Sequence, residues 1–204
     1  MNKRVAHFLG ACGLGVAVSL LGASTALAYR HYDRGGVRAE GRYAVVFGLK
    51  EALPNPRITP GALNPAVDQS NIRGTICVRG YSKSIRPPED YTERLKRLGI
   101  RRYGYGDPRL RDYEEDHLVS LELGGSPTSA RNLWPEPHHV IGGWGAYTKD
   151  RLEDRLHALV CRGRVPLALA QREISRDWIA AYKQYVGPTP YLRRHRRRRR
   201  RRAH

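Results

Sequence analysis

The densest acidic run in the sequence, Glu114-Glu115-Asp116, is followed at once by His117. Three adjacent carboxylates repel one another unless a cation or solvent relieves them. A histidine titrates near neutrality and serves as a general base. A carboxylate beside it suits a hard divalent ion such as Mg²⁺, which prefers oxygen donors. Together they could split a phosphodiester, the base deprotonating the attacking water while the ion neutralises charge on the leaving oxygen. The plainer reading is a solvated acidic turn capped by Arg109 and Arg111. Two segments downstream of the histidine weigh against it: a glycine turn, Gly124-Gly125-Ser126-Pro127, and then Asn132-Leu133-Trp134.

Those residues need elements to position them. Asp116 to Leu121 reads as a strand or strand end, and the strand must end or bend at the Asp-His pair, because alternation sends adjacent side chains to opposite faces. Asn132-Leu133-Trp134 begins a second short strand that Pro135 and Pro137 should stop. A helix is expected over Ala146–Cys161, where Leu152, Leu156, Leu159 and Val160 recur at three-four spacing, with Gly163 beyond its end. A last helix should run from Pro166 to Tyr185, with Ile174, Trp178 and Tyr182 four apart. Upstream, short strands are expected at Tyr43–Phe47 and Thr75–Val78, a helix over Asp90–Leu98 stopped by Gly99, and a basic loop over 101–113. Trp134 and Trp178 read as core residues.

Helical geometry ranks the remaining polar candidates. On the 146–161 helix, Lys149 and Glu153 lie at the edge of the leucine stripe, Asp150 and Asp154 point further away, and Arg151 and Arg155 face water. If the stripe packs on the hairpin, Glu153 becomes a metal ligand or its support and Lys149 a phosphate contact. An ordinary salt bridge between these two, four residues apart, is the equal alternative. Arg131 is a further candidate for the nucleic-acid backbone. His138, His139 and His157 read as surface histidines.

Composition narrows the class. The 204 residues carry 37 Lys and Arg against 19 Asp and Glu, a formal +18. Setting aside the nine arginines between Arg193 and Arg202 and the Lys3-Arg4 pair still leaves the middle basic, so a polyanionic partner is expected. Hydrophobic content of 40%, with three Trp and twelve Tyr, argues against a wholly disordered chain. A single long apolar stretch excludes a multi-pass membrane protein. That stretch, Phe8 to Leu21 after Lys3-Arg4 and before Ala26-Leu27-Ala28, reads as a secretory signal cut after Ala28, which places the mature chain in the periplasm or outside the cell. Export leaves Cys77 and Cys161, which have one possible pairing as a disulfide, or else remain two buried thiols. The arginine tail should bind phosphates without sequence preference, or an anionic envelope surface.

The stretch Asp116-His117-Leu118-Val119-Ser120-Leu121-Glu122-Leu123-Gly124-Gly125, then Asn132-Leu133, then a helix, resembles the HNH-type, ββα-metal finger nucleases. Thr75-Ile76-Cys77-Val78, Arg86-Pro87-Pro88 and Asn132-Leu133-Trp134-Pro135-Glu136-Pro137 look like an exported branch of that superfamily. The resemblance implies that His117 is the general base, that Asp116 binds one divalent ion (Mg²⁺, with Mn²⁺, Ca²⁺ or Zn²⁺ as alternatives), and that Asn132 holds the histidine loop or approaches the metal. Many members carry a His or Asn at the helix start, and Ala146-Tyr147-Thr148-Lys149-Asp150 has neither. The Cys pairs that brace many relatives are also absent, and a Cys77–Cys161 bridge would substitute for them.

The expectation is therefore an α+β protein, with a small ββα-metal core and flanking helices and short strands. Residues 1–28 form the signal, 29–72 a flexible Pro/Gly-rich leader, 73–187 the HNH-like nuclease domain and 188–204 a disordered arginine-rich tail. The expected activity is metal-dependent, sequence-tolerant cleavage of DNA or RNA. The alternative is a non-enzymatic envelope protein that binds polyanions on a degenerate scaffold of the same kind.

Overall fold

A computed structural model describes residues 45–190. The signal segment 1–28, residues 29–44 of the expected leader and the arginine run from 193 to 202 lie outside the described residues. The architecture is α+β, with four helices and a two-stranded antiparallel sheet. The helices are α1 (Tyr81–Ile85), α2 (Glu89–Tyr103), α3 (Ala146–Cys161) and α4 (Leu167–Tyr185), and the strands are β1 (Tyr113–His117) and β2 (Leu133–Pro137). Among the described residues, no helix is long and apolar enough to cross a membrane.

β1 begins three residues earlier than expected and ends at His117, so the acidic run lies on the strand and not in a turn. β2 runs through both prolines, contrary to the expectation that they stop it. The ladder explains their tolerance. His138 N–H donates to the Asp112 carbonyl at 3.0 Å and Leu118 N–H to the Asn132 carbonyl at 2.8 Å. Alternation then makes the even-numbered residues of β2 the hydrogen-bonded ones, and Pro135 and Pro137 fall where an N–H would point away from β1.

α2 does not stop at Gly99, and it absorbs the start of the expected 101–113 loop before ending at Gly104, whose φ of 69° suits a left-handed cap. Gly99 serves packing instead. A Cβ there would lie 2.8 Å from Pro135 Cδ, so the missing side chain lets α2 lie against β2. Of the strand expected at Tyr43–Phe47, the described residues 45–47 contribute only an isolated bridge, Phe47 to Val140, and Thr75–Val78 forms turns and not a strand. Residues 45–72 are irregular but packed, which corrects the flexible leader over that stretch. Phe47, Ala52, Val67 and Ile72 are buried, and Gly61 N–H and Ser126 N–H link the 61–62 segment to the loop joining the two strands. Prolines there prevent regular structure without preventing burial.

α3 and α4 form the core that supports the hairpin. Leu152, Leu156 and Val160 of α3 are fully buried with Ile174, Trp178 and Tyr182 of α4, as the three-four spacing requires. Trp134 is also buried. α4 kinks at Asp177 (φ −159°, ψ 90°), whose carboxylate accepts the Ala180 N–H at 2.9 Å and restarts the helix. Cys77 and Cys161 form a disulfide across 84 residues and tie the end of α3 to the 72–78 turns. Replacing both cysteines with alanine should lower unfolding stability by about 2–4 kcal/mol, because the unfolded chain regains the freedom of a long loop. Urea denaturation of variant and parent measures this directly.

Candidate functional site

The loop between the strands is shaped by Asn132, whose side chain is fully buried. Its Oδ1 accepts the Val119 N–H at 2.9 Å, and its Nδ2 donates to the Val119 and Ser126 carbonyls, each at 3.0 Å. Both amide protons are thereby used on backbone. Asn132, expected to hold the histidine loop or approach the metal, clamps the two ends of the 119–126 turn. Gly125 makes that clamp possible, since a Cβ there would fall 1.7 Å from the Val119 carbonyl oxygen.

The clamped loop carries Pro127, and its carbonyl lies 2.9 Å from His117 Nε2. A carbonyl can only accept, so Nε2 carries the proton and the lone pair of the neutral ring is on Nδ1. Burial holds His117 below the ordinary imidazole range, partly opposed by the Pro127 hydrogen bond and the Asp116 charge. A neutral ring held in this way has a single tautomer, with its lone pair on Nδ1.

Asp116, the residue before His117 on β1, meets α3. Lys149 Nζ donates to Asp116 Oδ2 at 2.5 Å, to the His117 carbonyl at 3.0 Å and to Glu153 Oε1. All three ammonium protons are used, and Lys149 is 1% exposed. The expected salt bridge with Glu153 is thus present, while the expected phosphate contact is not what the buried ammonium makes. Burial alone would depress the lysine, but Asp116, Glu153 and Glu136 hold it above its usual range.

Sequence reasoning missed Glu136. It is 1% exposed, and neither carboxyl oxygen receives a hydrogen bond. Burial and the neighbouring Asp116 and Glu153 charges raise it well above the carboxylate range, against the pull of Lys149. Burial likewise lifts Glu153 to about 8, with Lys149 opposing and Asp116 adding to the rise. Asp116 is itself held low, burial being outweighed by the charge and hydrogen bond of Lys149. Glu114, two residues back on the same face and opposite Glu136 in register, is lifted to about 7 by burial and by Asp116. Asp150, expected to point away, lies near enough for the Asp116 charge to add to the upward push of its burial.

This cluster is short of positive charge: Asp116, Glu136 and Glu153 surround one ammonium. The shortfall must be met by protons or by a further cation. The unpartnered oxygens of Glu136 are the kind of donor a hard divalent ion takes. The side chains of Asp116 and Glu153 each retain 15% exposure, which leaves the cluster open to solvent on that side.

Other expectations fall around this centre. Arg131 is exposed on the strand-joining loop immediately before Asn132. Arg86, part of the Arg-Pro-Pro motif, is exposed after α1 and lies close enough for its charge to act on both Glu114 and His117. Arg151 and Arg155 are exposed, as expected. His139 is exposed, whereas His138 is half-buried with its ring stacked on Tyr147 at 5.2 Å. Among the described residues, the three donors close enough together to hold a metal ion are Cys77, His157 and Cys161, with one donor atom from each within 4.8 Å of the others; Asp116, Glu136 and Glu153 do not meet as three donors in this way.

The chain matches no protein-family model, no curated protein and no solved structure.

Proposed function

We propose that this chain is an exported, metal-dependent nuclease of the ββα-metal type that hydrolyses the phosphodiester backbone with little regard to sequence. The observation that carries this reading is the state of His117. Its Nε2–H is committed to the Pro127 carbonyl and its Nδ1 is left basic, one residue from a carboxylate cluster that lacks positive charge. An acid–base histidine next to a hard-cation site is the pairing that phosphodiester hydrolysis needs.

Asp116 and Glu136 are the residues that would hold a divalent ion, with Glu153 supporting it. When bound, such an ion stabilises charge on the phosphate and on the departing oxygen. His117 takes a proton from water at Nδ1, the water oxygen bonds to phosphorus, and the bond to the leaving oxygen breaks. Asn132 and Gly125 fix the loop whose carbonyl sets the histidine tautomer. Lys149 holds Asp116 and Glu153 in place from beneath. Arg86 and Arg131 supply backbone contacts, and the arginine run from 193 to 202 adds affinity that salt should weaken.

One observation favours the non-enzymatic alternative: an internal ammonium already pairs with Asp116 and Glu153. Incubating the purified chain with supercoiled plasmid and with single-stranded RNA, in Mg²⁺ or Mn²⁺ and in EDTA, separates the two. The nuclease reading expects cleavage of at least one substrate with metal and none with chelator. Binding without cleavage in every metal would favour the polyanion-binding protein.

A further inference from the structure

The opposite end of α3 holds a second set of donors, independent of the nuclease reading. His157 and Cys161 are four residues apart and therefore on one side of the helix, one turn from each other. Cys77 reaches them from the 72–78 turns, and the three donor atoms lie within 4.8 Å. His157, expected on the outer surface, is only 28% exposed. Its Nε2 donates to the carbonyl of Ile76, the residue before Cys77, at 2.8 Å. That bond assigns the proton to Nε2 and leaves the Nδ1 lone pair free, as in metal-binding histidines whose other ring nitrogen is held by a carbonyl.

A fourth donor is at hand. Glu122 Oε2 lies 3.7 Å from His157 Nδ1. Two ligands at about 2.0 Å from a tetrahedral zinc ion are roughly 3.3 Å apart, so a small shift would place both on one ion. Two thiolates, one imidazole and one carboxylate make a closed set for a borderline-soft ion and a poor one for Mg²⁺. The sulfurs are joined in a disulfide, and in that state they provide no thiolate.

We propose that Cys77, Cys161, His157 and Glu122 form a thiol-gated zinc site, closed as a disulfide under oxidising conditions and opened to Zn²⁺ on reduction. A dithiol reductant transfers two electrons and two protons, breaking the sulfur–sulfur bond to give two thiols while becoming a disulfide itself. Zinc then displaces both thiol protons and forms two sulfur–zinc bonds. Either state ties α3 to the 72–78 turns, so the metal replaces the covalent staple where thiols are kept reduced.

The test compares the full chain in oxidised form and in form reduced with a non-chelating phosphine, each dialysed against Zn²⁺ and then assayed for bound metal. Reduced protein should hold one more equivalent of zinc than oxidised protein, and with Co²⁺ in place of zinc it should show a thiolate-to-cobalt absorption band. His157→Ala keeps both cysteines, and should weaken the reduced-state zinc affinity at least about tenfold. The carboxylate cluster does not change with thiol state, so it cancels in the comparison. Equal metal content in the two redox states, or no thiolate band, would overturn the site. So would an unaltered affinity in His157→Ala. If reduction alone unfolds the chain, restoration of its circular dichroism by zinc supports the proposal, and failure to restore it counts against it.

Discussion

Under the proposed function, replacing His117 with alanine should slow plasmid cleavage about 10²–10⁴-fold, the range over which a positioned general base contributes. The expected loss is large because the described site offers no second base of the same kind. Asp116 and Glu153 are committed to Lys149, and Glu114, lifted to about 7 by burial, is the carboxyl that could carry residual cleavage. The ring's one hydrogen bond goes to Pro127, so its removal leaves the carboxylate cluster intact. Divalent-ion and DNA binding should therefore survive in the variant, because Asp116 and Glu153 keep their bonds to Lys149. Single-turnover nicking at saturating metal, beside an equilibrium DNA-binding measurement, checks both parts. Full cleavage by His117→Ala would remove the assigned base.

Lys149→Met should destabilise the chain by about 3–5 kcal/mol in the absence of divalent metal, because removing one member of a buried charge network strands the others. Lys149 is the ammonium bonded to Asp116, Glu153 and the His117 carbonyl, and its replacement leaves Asp116, Glu136 and Glu153 facing one another. Methionine keeps most of the volume, so the loss is electrostatic and not a cavity effect. Denaturation with and without Mg²⁺ gives a second signature. Metal should restore more stability to the variant than it adds to the parent, since it meets a larger deficit of positive charge. Equal stability of variant and parent in chelator would show that the lysine does not hold the carboxylates together.

The helices and the hairpin were legible in the sequence for different reasons. α3 and α4 follow from apolar spacing that only a helix can bury, and their ends fall where Gly163 and Pro166 place them. The hairpin was legible as a pair of strands but not in register, because Pro135 and Pro137 read locally as stops. Their tolerance depends on which way each backbone nitrogen faces, a property of the pairing and not of the residue. Glu136 was hidden for the same reason. Once β2 is extended through the prolines, the two-residue period carries Glu136 to the face of Glu114 and Asp116, and that signal was present in the sequence. Gly99 read as a helix stop because its partner, Pro135, is 36 residues away. Arg86 could not have been found from spacing, since its proximity to His117 arises from how the segment after α1 passes the hairpin.

Lys149 and Glu153 show how far helical geometry reaches. Their placement beside Asp116 followed from the leucine stripe, and it is what the structure contains. The direction of the ammonium did not follow. Burial left it more favourable for Lys149 to satisfy three acceptors inward than to extend toward solvent, which turns an expected phosphate contact into a support for the carboxylates.

Whether water attacks phosphorus, the central claim of the proposed function, is decided by cleaving plasmid or oligonucleotide in ¹⁸O-labelled water with Mg²⁺ and weighing the new phosphate ends by mass spectrometry. Each newly formed terminal phosphate should carry one ¹⁸O atom, and EDTA should leave no product. Product without the label, or no product with any divalent ion, would refute hydrolysis at this site.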